Sequence, residues 1–155
     1  MRVETLLLPA NGWVPNHPRL PVRIYRAGRA RLDARGFEQR FAAHGWPPDW
    51  RGGIYAYHHY HSTAHEVLGV ACGHARLVLG GPDARTVDVS AGDALLLPAG
   101  TGHCCLQADA AFQVVGAYPK DQRWDVMREA PDRDTLARMH ALPDPARDPV
   151  TGEPF

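Results

Sequence analysis

A chain of 155 residues holds one domain with a real hydrophobic core and leaves little room for a second. Its 17 basic residues balance 17 acidic ones, so no basic face argues for nucleic acid and no polybasic run for an anionic membrane. The first apolar run, Leu6 to Leu8, is too short for a signal-peptide core or a membrane span, and Cys72, Cys104 and Cys105 make no disulfide framework; a cytoplasmic protein is expected.

Gly (15) and Pro (14) are scattered between short β-rich runs, with no repeat at a fixed period, which predicts an all-β sandwich or barrel with many turns. In chain order, Thr5 to Leu8 and Val22 to Arg26 read as short extended stretches on either side of NGWVPNHPRLP. Proline has no amide hydrogen to donate, so that segment is an arm or loop. DARGFEQRFAAHGW predicts a helix capped by Asp33, with Phe37 and Phe41 on one face and Gly45 with Pro47-Pro48 ending it. GIYAYHHYH alternates and reads as a strand. HEVLGVACG follows, and HARLVLG with ARTVDV around GGPD predicts a hairpin. SAGDALLLPAGTGH and AFQVVGAYP supply further strands, DRDTLARMHAL a short helix, and PDPARDPVTGEPF a Pro-rich tail. The resulting division is 1–50 for arm strands and helix, 51–119 for the core, and 120–155 for helix and tail. About eight closely spaced strands point to a closed or double-sheet barrel.

The stretch HHYHSTAHE, residues 58–66, places four histidines and a glutamate in nine positions. Were it a helix, His61 and His65 would lie one turn apart, as in zinc proteases. Gly52-Gly53, the tyrosines before it and VLGVACG after it oppose a helix, and no H-E-x-x-H order is present. As a strand, the period of two puts Tyr55, Tyr57, His59 and His61 on one face, and His58 and Tyr60 on the other. Two imidazoles at i,i+2 can chelate one cation, and the next strand can add a ligand. Either His65 or Glu66 can fill that place, and local geometry leaves both open.

Gly53, His59-x-His61, Glu66 and Gly73 resemble the first motif of the cupin superfamily at every specified position. Gly92, Pro98-x-Gly100 and His103 resemble the second, with Gln107 where that motif ends in Asn. More loosely, HSTAHEVLG, GDALLLPAGTGH and VVGAYP look like a YjlB-like group of small bacterial cupins. The resemblance implies an RmlC-like jelly roll, a double-stranded β-helix, with one divalent transition metal ion held by His59, His61, Glu66 and His103. It resolves the His65/Glu66 choice for Glu66. Gly73 and Gly92 suit turns of positive φ. Such N/O donors fit Fe, Mn, Ni, Zn, Co or Cu and leave open positions for a small molecule.

Strand parity extends the expected pocket to Tyr57, Cys105, Gln107 and Phe112, with Tyr57 as the candidate catalytic hydroxyl. Parity from Glu66 places Leu68, Val70 and Cys72 inward, and His58 outward in solvent. No nucleophile elbow or phosphate loop is present. The expected function is a metal-dependent enzyme, oxygenase-like or isomerase/decarboxylase-like, acting on a small oxygen-rich molecule in the barrel. The alternative is a non-enzymatic small-molecule-binding or sensing cupin. A homodimer is expected, with the Pro-rich arm at 9–21 crossing to its neighbour.

Overall fold

A computed structural model describes residues 1–155. Two antiparallel sheets face each other. The larger is built from β1 (Arg2–Leu6), β2 (Val22–Arg26), β3 (Pro48–Gly52), β4 (Glu66–Cys72), β7 (Ala94–Leu97) and β9 (Gln113–Ala117), in the order β1-β2-β7-β4-β9-β3. The smaller, β6-β5-β8, holds β5 (His74–Leu79), β6 (Arg85–Ser90) and β8 (His103–Ala108). This jelly-roll, all-β arrangement is the predicted class. The histidine-rich segment is not a regular strand: it runs beside β8 through a single bridge, His59 to His103.

Alternation along β4 divides the core in two. Leu68 and Val70 point between the sheets, where Val22, Ile24, Leu77, Leu79, Leu95, Leu97 and Val114 meet them. Val67 points to the opposite face, where α1 (Ala34–Ala43) lays Phe37 and Phe41 on Val67, Leu96 and Val115. Asp33 caps α1 as predicted, accepting from Gly36 N at 2.8 Å. The helix sits close because Gly69 lies beneath Phe37: a Cβ there would meet the ring at 2.5 Å. The β5–β6 hairpin turns at Gly80-Gly81, and Gly73 and Gly92 have the positive φ expected of them, 73° and 97°.

Two bulges break the parity read from the sequence. The β4–β9 register shifts between Val70 and Cys72, which turns Cys72 outward to an exposed position. In the β5–β8 pair Leu77 faces Cys105 and Arg76 faces Gln107, so Leu106 is the extra residue. Gln107 is thereby turned to the exposed face with Arg76 rather than into the barrel.

The Pro-rich arm serves its own barrel. Asn16 donates to Gly80 O and accepts from Gly102 N, and Val14 is fully buried, so the arm closes one end of the sheets. The tail after α2 (Arg133–Ala141) is likewise ordered against the chain's other half, with Asp148 and Val150 buried. No helix is long and apolar enough to cross a membrane.

Candidate metal centre

His59 and His103 exchange both backbone hydrogen bonds, N to O at 3.2 and 2.9 Å, which sets them side by side across the bridge. Their ring centroids lie 4.0 Å apart. His61, two residues on, is tied in by Gly100 N donating to its carbonyl at 2.8 Å. Glu66 opens β4 and reaches the same point from the facing sheet. One ligand atom from each of His59, His61 and His103 lies within 4.8 Å of the others, all three residues buried.

The hydrogen bonds fix which nitrogens converge. His59 Nδ1 pairs with Tyr57 O at 3.0 Å, His103 Nδ1 with Thr101 O at 2.9 Å, and His61 Nδ1 with Asp125 O. A carbonyl only accepts, so each Nδ1 carries the proton and each neutral ring presents the Nε2 lone pair to the centre. Glu66 lies 2 % exposed, with Oε2 at 3.2 Å from His61 Nε2 and Oε1 at 3.3 Å from His103 Nε2. Oε1 has no hydrogen-bond donor although it is buried. Unprotonated nitrogens cannot supply one, and a buried anionic oxygen without a partner is costly. Three lone pairs and a carboxylate facing one point are the donor set of a cation, and of the borderline ions that take N and O ligands.

Electrostatics follow the same geometry. Burial, then the neighbouring His103, push the His59 pKa down to about 3, so its ring is neutral. Burial opposes charge on His61, but the Glu66 carboxylate outweighs it and raises that pKa. Glu66 feels burial first as well, yet His61 and His103 hold it well below the ordinary carboxylate range.

Two supports were not legible in the sequence. Tyr118, just after β9, donates to Glu66 Oε2 at 2.5 Å and accepts from Trp50 Nε1 at 2.9 Å. Burial and then Glu66 raise the Tyr118 pKa far above its usual value, so the hydroxyl stays a donor. Asp125 holds the other side: its carbonyl orients His61, while its carboxylate accepts from Ser62 N at 2.6 Å and from Ser62 Oγ. Both lie far downstream: the pairing of β9 with β3 and β4 delivers Tyr118, and the bridge between Tyr60 and Met127 sets Asp125 beside His61.

A cavity of about 310 Å³ opens onto these groups, lined by Asp49, Trp50, Gly52, Gly53, Ile54, Tyr55, Leu68 and Trp124 with the four converging residues. Four residues expected there lie elsewhere. Tyr57 is half-buried behind the wall, stacked on Tyr55 at 4.7 Å with Arg128 over its other face at 3.8 Å, because the chain bends between Tyr55 and His59 instead of continuing as a strand. Cys105 and Phe112 join the packing between the sheets, and Gln107 is exposed through the bulge. His58 is half-buried rather than solvated, its Nδ1 buried without a partner. His65 is a structural residue: Nδ1 accepts from Ala99 N at 2.9 Å and Nε2 reaches Pro143 O at 3.3 Å.

No family model matches the chain. A solved cupin 2 domain-containing protein from Halorhodospira halophila is similar at 19% identity over 90% of this chain and 76% of that one, with a TM-score of 0.35. An uncharacterised protein of Bacillus subtilis (strain 168), YjlB, is 35% identical over 152 residues, 97% of this chain and 91% of that protein. With that identity along nearly its whole length, the chain belongs to the YjlB family.

Proposed function

We propose that the protein is a metal-dependent enzyme in which His59, His61, Glu66 and His103 hold one divalent transition metal ion and a small oxygen-rich molecule reacts in the adjoining cavity. The observation that carries this reading is the set of three Nδ1–carbonyl bonds, which leaves three Nε2 lone pairs and the undonated Glu66 Oε1 facing one point. A divalent ion there supplies Lewis-acid polarisation of an oxygen donor, or redox chemistry if its identity allows. The protein's own part is orientation: Tyr118 keeps its proton and fixes Glu66, Asp125 fixes His61, and Trp50, Leu68 and Trp124 give the cavity an apolar wall. Elemental analysis of protein purified without added metal is expected to give about one ion per chain. His59→Ala and His103→Ala are each expected to lose it; a variant that still holds one ion per chain rejects the ligand set.

A non-enzymatic binding or sensing role is favoured by one observation: apart from the converging residues, the cavity offers only Asp49 and Tyr55 as ionisable side chains, and Asp49 Oδ2 already accepts from Trp124 Nε1 at 2.8 Å. Oxygen uptake and product formation across diols, keto acids and flavonoids separate the two roles. Three free thiols suit the reducing cytoplasm, which we take as its location. A homodimer joined along the edge strand β1, where Val3 is 44 % exposed, fits the open side of the larger sheet. Light scattering that returns a monomer removes this part of the reading.

A further inference from the structure

Beyond the converging ligands, the cavity has an uneven chemical character. No lysine or arginine lines it, and Asp49 is its one further charged group. The rest of its side-chain surface is Trp50, Ile54, Tyr55, Leu68 and Trp124. Tyr55 and Trp124 are 47 % and 41 % exposed, so two aromatic rings present free surface where the cavity opens. Trp124 does not swing freely. Its ring stacks on Tyr118 with centroids 6.0 Å apart, stands edge-on to His61 at 5.9 Å, and is pinned by its bond to Asp49. At about 310 Å³, the space lies at the small end for ligand pockets.

These features discriminate among ligands by desolvation and charge. A phosphate ester or dicarboxylate would bring a charge that no basic side chain balances, beside the Asp49 carboxylate. A free sugar would bury hydroxyls around its whole rim, where the wall offers few partners, and each unpaired group is costly. A flat apolar body gains from stacking on fixed indole and phenol rings. A divalent ion with one carboxylate ligand leaves a single positive charge, which one anionic oxygen group neutralises.

Resting on the metal reading above, we propose that the cavity takes a compact, flat molecule with an apolar body and oxygen donors along one edge, neutral or monoanionic, of the phenol, enol or aromatic hydroxy-acid class. Phosphate esters, dicarboxylates and free sugars are excluded. Trp124 is the specificity-determining residue, because it supplies the exposed ring that the flat body meets.

The test uses zinc-loaded full-length protein, with zinc content measured first, then calorimetry and tryptophan fluorescence with catechol, salicylate, succinate, glucose and glucose 6-phosphate. Catechol or salicylate is expected to bind at least tenfold tighter than the other three. Trp124→Ala is expected to weaken that binding tenfold or more with one zinc per chain retained, and Trp124→Phe to recover most of it. Zinc-retaining protein that prefers succinate or glucose 6-phosphate, or that binds none of the five, overturns the ligand class alone. So does a Trp124→Ala variant that binds as the parent does. Protein that holds no zinc overturns the metal reading and this inference together.

Discussion

Glu66 divides its work between two oxygens. Oε2 accepts from Tyr118 and Oε1 is left without a donor, so the hydroxyl decides which oxygen is presented. Removing it in Tyr118→Phe is expected to lower metal affinity roughly 10–100-fold, as is usual when the group orienting a ligand is lost. Competition against a chelator reads this, and unchanged affinity means that Glu66 is oriented by something else. A second residue sets a pH limit away from the centre. His17 accepts from Leu20 N at 2.9 Å and is surrounded by His65, Arg19, His140 and Asp144. Burial first, then the neighbouring charges, lower its pKa to about 4 from 6.5. Above 6.5 neither state is charged and its contribution is complete; between 6.5 and 4 the unfolded chain binds a proton that the folded chain refuses, so stability falls as pH falls. The melting temperature is expected to drop over that window, and less so in His17→Asn. At this scale the sequence is informative where spacing is local. His59 and His61 fall within one short run and are nominated by its alternation, whereas Glu66 over His65, and the distant His103, come with the resemblance of two motifs. Tyr118, Trp50 and Asp125 carry no pattern, because their meeting depends on strand pairings that no short stretch encodes.

At the scale of elements, periodicity predicted the strands and their cores well where pairing is unbroken. Leu68 and Val70 fall on the inner face as alternation requires, and α1 buries Phe37 and Phe41. It failed one residue past each bulge, at Cys72 and Gln107, since an inserted residue reverses every later side chain and leaves no mark in composition. The segment from Gly53 to His61 failed for a related reason: its tyrosines alternate as in a strand, yet a single bridge, His59 to His103, pairs it with β8. One element contact bears directly on the cavity. Gly116 of β9 lies against the Trp50 indole, and a methyl group there would overlap the ring. Gly116→Ala is expected to cost about 1–3 kcal/mol by overpacking. Because Trp50 both lines the cavity and donates to Tyr118, it is also expected to weaken metal retention. Denaturant unfolding and elemental analysis measure the two effects; a stability loss with full metal retention separates Trp50 from the centre.

Across the whole molecule, the last residues behave as part of the fold. Asp148 accepts from Arg23 at 2.8 Å, from Tyr25 Oη at 2.5 Å and from the backbone N–H groups of Val150 and Thr151. Burial alone would raise its pKa, but the Tyr25 hydrogen bond and the backbone N–H groups lower it below 3.8. Its contribution is therefore complete above pH 3.8 and is lost as pH falls through the lower folded value. Asp148→Asn is expected to destabilise by about 3 kcal/mol near neutral pH, since it leaves Arg23 and Tyr25 imperfectly paired. Thermal melts of the two proteins should converge in strong acid; a constant gap down to pH 2 argues that the carboxylate's charge is immaterial. Proline content marks this segment only as a tail, extended over the surface or disordered, and the pairing of a strand near one end with a loop near the other is what composition could not disclose.

The bond between His61 and the carbonyl of Asp125 also has a consequence for how the protein is made. A ribosome releases the four candidate ligands well before it releases Asp125, and Tyr118 also follows the last of them. A nascent chain stalled after Ala108 thus carries every donor atom but lacks the two groups that aim His61 and Glu66. Ion capture is then expected to follow chain completion, with stalled chains ending before residue 119 binding zinc far more weakly than the released protein.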